Sequence, residues 1–147
     1  MKIYKIGIIG CGGIAQKMAA TLEKMKGVER YAVASRNQEK AEAFANKWGF
    51  TKAYGSYEEL ASDPEVDLIY IATPHAMHYD NAHMCIEKGK PVLCEKAFTA
   101  NARQAEDLLA FAKEKGVFIT EAIWTRYMPL SLKAERRSNR NTVYLVG

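Results

Sequence analysis

Lys96 is the residue whose type and position point most directly to chemistry. It follows the short apolar run 91–94, which is typical of a buried strand, with Glu95 between the two. Side chains that follow a strand of a parallel sheet lie at the edge where ligands bind. An ammonium group there stabilises the negative charge on an alcohol oxygen that loses its proton, as hydride transfer from an alcohol requires. Glu95 either orients Lys96 or holds the loop, and position alone leaves a surface lysine as an alternative.

A glycine-rich turn lies between the apolar run 6–9 and a helical segment. It reads Gly10-Cys11-Gly12-Gly13-Ile14-Ala15. In a dinucleotide-binding turn, Gly10 permits the tight bend, Gly12 admits a pyrophosphate, and Ala15 lets the helix pack closely on the strand. The free N–H groups near Gly13 and Ile14 then face the phosphates. The alternative is a tight turn that binds no ligand.

The end of the second predicted strand indicates which dinucleotide binds. About 20 residues past the glycines, an Asp or Glu would accept hydrogen bonds from the ribose 2′-hydroxyl of NAD. This sequence has Ser35-Arg36-Asn37 there, with no carboxylate before Glu39 and with Lys40 nearby. A hydroxyl and a guanidinium suit the 2′-phosphate of NADP, which a carboxylate would repel. We therefore expect NADP, with NAD as the alternative cofactor. A solvated Arg36 at a helix start is the competing interpretation.

The loop after the fourth predicted strand supplies further polar candidates, among them Thr73 and His78. His75, His78 and His83 are spaced by three and five residues, which does not place them as a set on one helix face. No cysteine or carboxylate at ligand spacing completes them, so we predict no metal site. His78 is interpreted as a polar contact to cofactor or substrate, with an ordinary surface histidine as the alternative.

Short apolar runs alternate with longer amphipathic segments along the chain, as in βαβ units. Strands are predicted at 3–9, 28–34, 52–54, 67–72, 91–94 and 117–123, and helices at 14–25, 38–48, 57–61, 76–87 and 102–115. This pattern predicts an α/β fold, a Rossmann-type doubly wound parallel sheet, whose strands are covered on both faces. The first and fourth strands should flank the ligand crevice.

The composition is typical of a globular domain, and the distribution of charge indicates which classes of partner are excluded. The chain has 147 residues, 48% of them hydrophobic, and a net charge of +4. From Arg126 onward five basic groups stand against one acidic group, so the first 125 residues carry 16 of each and are neutral. This distribution argues against a nucleic-acid partner. No apolar run approaches the roughly 20 residues of a membrane span. The cysteines Cys11, Cys85 and Cys94 are expected to be reduced thiols in a cytoplasmic protein without a signal peptide.

Taken in order and spacing, the glycine turn, the segment 73–78 and Cys94-Glu95-Lys96 resemble the glucose–fructose oxidoreductase/inositol dehydrogenase (Gfo/Idh/MocA) family. Segments 53–60 and 121–126 are most similar to its dihydrodiol dehydrogenase and NADP-dependent D-xylose dehydrogenase branch. The resemblance covers about residues 3–130. It implies that Lys96 is catalytic, although Ala97 stands where the family has proline, and that the substrate is a sugar or cyclic diol. It also implies that four residues lie near the cofactor: Thr73, His78, Trp124 and Arg126.

The resemblance further implies a second α/β domain after the nucleotide-binding one. We assign residues 1–125 to the nucleotide-binding domain and 126–147 to a truncated or altered start of the second, because segment 134–141 lacks the apolar periodicity of a helix. An apolar edge left uncovered would favour a homo-oligomer. The expected function is hydride transfer between NADP and a hydroxyl or carbonyl group. The alternatives are dinucleotide binding without turnover and a regulatory domain that senses the cofactor.

Overall fold

A computed structural model describes residues 2–122 of the chain, in which strands alternate with helices. The strands are β1 Tyr4–Ile9, β2 Val28–Ala34, β3 Lys52–Tyr54, β4 Leu68–Ile71, β5 Val92–Glu95 and β6 Ile119–Ala122. The helices are α1 Gly13–Lys24, α2 Gln38–Trp48, α3 Tyr57–Ala61, α4 His78–Glu87 and α5 Ala102–Lys115, with a short 3-10 helix at His75–Met77.

These strands form one parallel sheet in the order β3-β2-β1-β4-β5-β6. The chain begins at the centre of the sheet, winds outward to β3, and then returns to build the other half from β4. The order therefore reverses between β1 and β4, which is where doubly wound sheets bind their ligands. This topology confirms the predicted fold class and the predicted place of the crevice.

Helices cover the sheet on both faces, because successive strand residues point to opposite sides. On one face, Ile8, Val33 and Tyr70 pack in a buried cluster with residues of α1 and α2. On the other face, Ile71 and Val92 pack in a cluster with residues of α3, α4 and α5. The near-continuous apolar strands of the sequence are explained by this double burial.

The helix starts differ in how their N–H groups are satisfied. Asn37, Ser56 and Asn101 cap α2, α3 and α5 by accepting hydrogen bonds from backbone N–H groups three residues later. In contrast, α1 begins after Gly12 with no side-chain cap and with no acidic residue in its first turn. No side chain of residues 2–122 thus takes up the first N–H groups of α1, which an anion can do instead.

Two helices depart from their predicted bounds, α1 by one residue at each end and α4 by two residues at its start. The segment expected to be α-helical from residue 76 starts as the 3-10 turn, and α4 begins only at His78. The N–H of Met77 donates to the carbonyl of Pro74, three residues back, at 2.9 Å. The carbonyl of Thr73, which would be its α-helical acceptor, instead contacts the His78 ring at 2.7 Å. The 3-10 start of the helix thus coincides with a contact between the His78 ring and the backbone of the preceding loop.

The strand ends shift by one or two residues. The strand predicted from residue 117 starts at Ile119, because the N–H of Val117 donates to the carbonyl of Ala112 and completes the end of α5. Its predicted end at residue 123 and the tail 126–147 lie outside the described residues. In the part that the structure describes, no helix is long and apolar enough to cross a membrane.

Candidate functional site

The carboxyl ends of the four central strands lie level with one another. Ile9 of β1 pairs with Ala34 of β2 and with Ile71 of β4, and Ile71 pairs with Cys94 of β5. The residues that follow these positions are Gly10, Ser35, Ala72 and Glu95. Because the pairing is parallel, loops that are distant in sequence leave the sheet side by side.

Gly10 makes the bend at the end of β1. Its φ is +104°, a conformation that L side chains rarely adopt. A Cβ at this position would stand 2.8 Å from the carbonyl oxygen of Ala72. On the other side, the N–H of Gly10 donates to the carbonyl of Ala34 at 2.9 Å. The turn is held between the ends of β2 and β4, and only glycine fits there.

Gly12 and Gly13 form the open side of the same turn. A Cβ at either position would meet no atom within 4 Å, so nothing in the described chain obstructs the backbone there. The uncapped N–H groups at the start of α1 and its helix dipole suit a phosphate at this place. Ala15, in contrast, is fully buried and packs in the core under the turn, as a third small position requires.

A crevice of about 400 Å³ opens at this edge of the sheet. It is lined by Gly10, Cys11, Gly12, Gly13, Ile14, Ser35, Arg36, Lys40, Tyr57, Ala72, Thr73, Pro74 and His75. The glycine turn, the end of β2 and the loop after β4 thus come together as the sequence predicted. His78, Glu95 and Lys96 are not among the lining residues.

The side chains of Cys11, Tyr57 and His75 line the crevice although the sequence did not single them out as site residues. Cys11 lies inside the glycine motif, so its position was a usable signal. Burial raises the pKa of its thiol, and Lys40 and Ser35 offset this only in part, so the thiol is neutral near pH 7. Tyr57 begins α3, and no local pattern links that helix to the turn after β1.

The wall at the end of β2 carries two cations. The Oγ of Ser35 accepts a hydrogen bond from the N–H of Asn37 at 3.3 Å, and the Oδ1 of Asn37 accepts one from the N–H of Lys40 at 3.0 Å. These bonds fix the backbone, while the side chains of Arg36 and Lys40 border the crevice. Among the described residues, no carboxylate lines it. Such a wall suits a phosphate better than an uncharged hydroxyl.

His78 lies below this edge with a fully buried side chain. Its Nε2 is 2.7 Å from the carbonyl oxygen of Thr73, and its Nδ1 is 2.7 Å from that of Ala97. Carbonyl oxygens only accept, so a ring nitrogen donates wherever such a bond forms. Burial excludes the surface-histidine interpretation. The described contacts join two loops of the site, and a direct contact with a ligand stays a prediction.

A sequence model of the oxidoreductase family with an NAD-binding Rossmann fold matches residues 4–122. The chain belongs to the Gfo/Idh/MocA family. Two relatives show how far the likeness extends. The chain is 46% identical to D-xylose 1-dehydrogenase (NADP(+)) of Hypocrea jecorina, over 88% of this chain and 36% of the relative. It is 45% identical to trans-1,2-dihydrobenzene-1,2-diol dehydrogenase of Mus musculus, over 84% of this chain and 38% of that protein.

Solved structures of similar proteins have the same architecture. An NAD binding oxidoreductase from Klebsiella pneumoniae superposes with a TM-score of 0.84 at 35% identity, over 90% of this chain and 38% of that one. The 3-ketoreductase KijD10 from Actinomadura kijaniata, in complex with TDP-benzene and NADP, gives 0.82 at 30% identity, over 89% of this chain and 42% of that one. The chain thus spans about two fifths of the length of these proteins.

In this Gfo/Idh/MocA chain, Lys96 stands on a short exposed loop between buried anchors. Glu95 before it is buried and accepts a hydrogen bond from the hydroxyl of Tyr70 in β4. Lys96 and Ala97 are exposed, the peptide bond between them is cis, and Phe98 is buried again. Since Ile71 pairs with Cys94, Lys96 and Thr73 follow their strands at the same height. The loop that carries Lys96 therefore leaves the sheet next to the loop that carries Thr73, and a contact of Lys96 with cofactor or substrate stays a prediction.

The remaining predicted site residues are not described. Trp124 and Arg126 lie beyond residue 122, so their place near the cofactor stays a prediction. Within residues 2–122, no three side chains of His, Cys, Asp or Glu come together as a group that could hold a metal ion.

Proposed function

We propose that this chain is the nucleotide-binding domain of an oxidoreductase that transfers hydride between NADP and a hydroxyl or carbonyl group of a sugar or cyclic diol. The observation that carries the proposal is the crevice, in which an uncapped glycine turn and the cations Arg36 and Lys40 lie together. The substrate class rests on the names of the relatives, which act on D-xylose or a dihydrodiol.

Each part of the crevice has a role in this proposal. The N–H groups after Gly12 hold the pyrophosphate. The pyrophosphate can approach the backbone closely because Gly12 has no Cβ and no other atom of the described residues lies within 4 Å of where a Cβ would be. The Ser35 hydroxyl and the cations of Arg36 and Lys40 bind the ribose 2′-phosphate by charge-assisted hydrogen bonds. Glutamates are absent from this wall among the described residues, which favours NADP over NAD. Thr73 borders the opposite side.

Lys96 is the proton-handling or electrostatic group of the proposal. The cofactor, when bound, supplies the hydride acceptor. The ammonium of Lys96 stabilises the negative oxygen that forms as the substrate hydroxyl loses its proton. We assign residues 126–147 to the start of a substrate domain, which would complete the pocket, and place Trp124 and Arg126 near the cofactor. A cytoplasmic location and a homo-oligomer complete the proposal.

The chain as it stands has a second candidate function, which is cofactor binding without turnover. One observation favours it: the described crevice is lined by the nucleotide-binding groups and does not include Lys96. The two candidates differ only in whether these 147 residues turn over a substrate.

Titration of the purified chain with NADPH and NADH, followed by fluorescence, tests the proposal. We expect saturable binding with a Kd for NADPH at least about tenfold below that for NADH, since one charge-assisted hydrogen bond contributes about 1.5–3 kcal/mol. Failure to bind either cofactor, or a preference for NADH, would overturn it. Reduction of NADP with D-xylose or a trans-dihydrodiol then separates turnover from binding alone.

A further inference from the structure

We propose that Glu121 is a positioning residue for Lys96, because its carboxylate holds the backbone of the loop that carries the lysine. The inference rests on the proposed function, which gives Lys96 its role. Glu121 lies on β6, away from the glycine turn and from the residues that line the crevice.

The contact that carries the inference joins β6 to the loop after β5. The Oε1 of Glu121 accepts a hydrogen bond from the N–H of Phe98 at 3.3 Å. Glu121 is only 8% exposed, although a carboxylate usually stays in water. Burial of this group is costly unless a donor compensates it, and the described donor is a backbone N–H of this loop. The carboxylate therefore has a specific structural task there.

Strand pairing brings Glu121 to this place. It stands opposite Cys94 in the register of β5 and β6, one strand residue before the chain turns into the loop. Phe98 is 4% exposed and belongs to the buried cluster under α4 and α5. Its aromatic ring anchors the end of the loop in the core, and Glu121 fixes the N–H of the same residue.

Two further contacts hold the other residues of the loop. Tyr70 donates its hydroxyl hydrogen bond to Glu95, which precedes the lysine. The His78 ring contacts the carbonyl oxygen of Ala97, which follows it, at 2.7 Å. Contacts from three different elements thus surround Lys96, one at the Glu95 side chain and two at backbone atoms of Ala97 and Phe98, while Lys96 itself is exposed.

A fixed backbone matters for Lys96 because this residue lies in a loop, where no helix or strand restrains it. Ala97 leaves φ free at the next position, in contrast to a proline, which would lock it. A lysine side chain has several rotatable bonds, so only a fixed Cα lets its ammonium meet a reacting oxygen in a defined geometry. Glu121 removes one source of motion that the local sequence does not restrict.

Backbone ¹⁵N relaxation of the full 147-residue chain tests the inference. In the wild type, the order parameters of Lys96 and Ala97 should match rigid backbone, at about 0.85. Glu121→Ala removes the acceptor, and these two values should fall toward those of a flexible loop, below about 0.6. Glu121→Gln keeps an amide oxygen that accepts from the same N–H, so it should restore the wild-type values. Unchanged order parameters in Glu121→Ala would overturn the inference.

Two controls separate positioning from general stability. Asp63→Asn weakens a buried network on the opposite edge of the sheet and should leave the Lys96 order parameter unchanged. If Glu121→Ala does not fold, hydrogen exchange in the wild type decides instead. The amide of Phe98 should then be protected well beyond the exposed amide of Ala97, and equally fast exchange of the two would refute the contact.

The same samples distinguish this inference from the proposed function. Wild-type chain that binds neither NADPH nor NADH contradicts the proposed function, while the order parameters of Lys96 still report on Glu121. Conversely, tight NADPH binding together with a Lys96 backbone that is insensitive to Glu121→Ala contradicts the positioning role alone. We expect NADPH affinity to change by less than about threefold in Glu121→Ala, because the phosphate-binding groups are not touched.

Discussion

The backbone of Gly10 passes so close to Ala72 that a Cβ on the glycine would stand 2.8 Å from the alanine carbonyl oxygen. The two residues directly follow β1 and β4, the strands between which the sheet order reverses. The contact therefore joins the two halves of the fold at the candidate cofactor site. The same contact distinguishes Gly10 from Gly12 in the same motif, because a Cβ on Gly12 would meet no atom of residues 2–122 within 4 Å.

Gly10→Ala should destabilise the fold, whereas Gly12→Ala should mainly weaken cofactor binding. At Gly10 the positive φ alone costs about 1–3 kcal/mol, and the overlap with Ala72 adds to it. At Gly12 the φ of −83° suits alanine, and this exchange at a helix N-cap changes stability by less than about 1 kcal/mol. Urea denaturation and NADPH titration of both variants check this. Equal losses of stability in the two variants would contradict the different roles of Gly10 and Gly12.

Arg36→Ala should weaken NADPH binding by about 10- to 100-fold and leave NADH binding nearly unchanged, because one charge-assisted hydrogen bond to the 2′-phosphate is lost. The control is Lys24→Ala, which removes one positive charge at the other end of α1. Fluorescence titration of both variants with both cofactors measures the effect. A parallel loss for NADH, or an equal loss in the Lys24 variant, would argue against a 2′-phosphate contact.

Asp63 should make the chain sensitive to acid. Burial raises its pKa, but hydrogen bonds from Tyr54, from the N–H of Glu65 and from Lys52 outweigh this and lower the pKa from 3.8 to about 2. Because the folded-state pKa is lower than the unfolded one, the charged form stabilises the fold above about pH 4, and this is lost as the pH falls toward 2. The difference corresponds to roughly 2 kcal/mol.

Urea denaturation between pH 7 and pH 2 checks this, with Asp63→Asn as the comparison. The variant should be less stable than the wild type at pH 7, and the gap should narrow toward pH 2, where about half of the wild-type carboxyl groups are protonated. Glu65 and Asp67 also have lowered pKa values, through hydrogen bonds from Lys5, and titrate in both proteins. A gap that stays constant with pH would show that the Asp63 charge is not its cause.

Tyr70→Phe should lower the free energy of unfolding by about 1–3 kcal/mol, because it leaves the buried carboxylate of Glu95 without its phenol donor. Burial and the hydrogen bond to Glu95 both raise the pKa of Tyr70, so its hydroxyl is a neutral donor throughout the working range. Tyr4→Phe is the matched control, since that side chain is 52% exposed. Equal stability of the Tyr70 variant and wild type in thermal and urea unfolding would contradict the role of this bond.

The sequence predicted the parts of the site that depend on local pattern. The glycine turn was recognisable because it stands between an apolar strand and a helix, and Gly10 and Gly12 lie where that motif requires. Ser35, Arg36 and Lys40 were found by counting along the chain from the glycines to the end of β2. Parallel pairing then brings these segments together for any doubly wound sheet, so their convergence needed no further information.

Other features could not be read from the sequence because they join elements that are distant along the chain. His78 has nothing in its neighbouring residues to show that both ring nitrogens meet carbonyl oxygens of separate loops. Tyr57 reaches the crevice only because α3 packs near the turn after β1. Glu121 is the one charged residue of β6, and its acceptor role appears only once β6 lies beside β5.

The amino-acid sequence by itself determined the order of strands and helices, the glycine turn and the cations that follow β2, since periodicity and turn chemistry are local properties. The tertiary structure decided that the crevice includes Cys11 and Tyr57, that His78 is buried, and that Glu121 holds the loop of Lys96. Those contacts depend on strand order and register, which are set by the collective burial of apolar faces. A hydrogen bond between side chains and loops of different strands follows from that packing, and the neighbouring residues in the sequence do not indicate it.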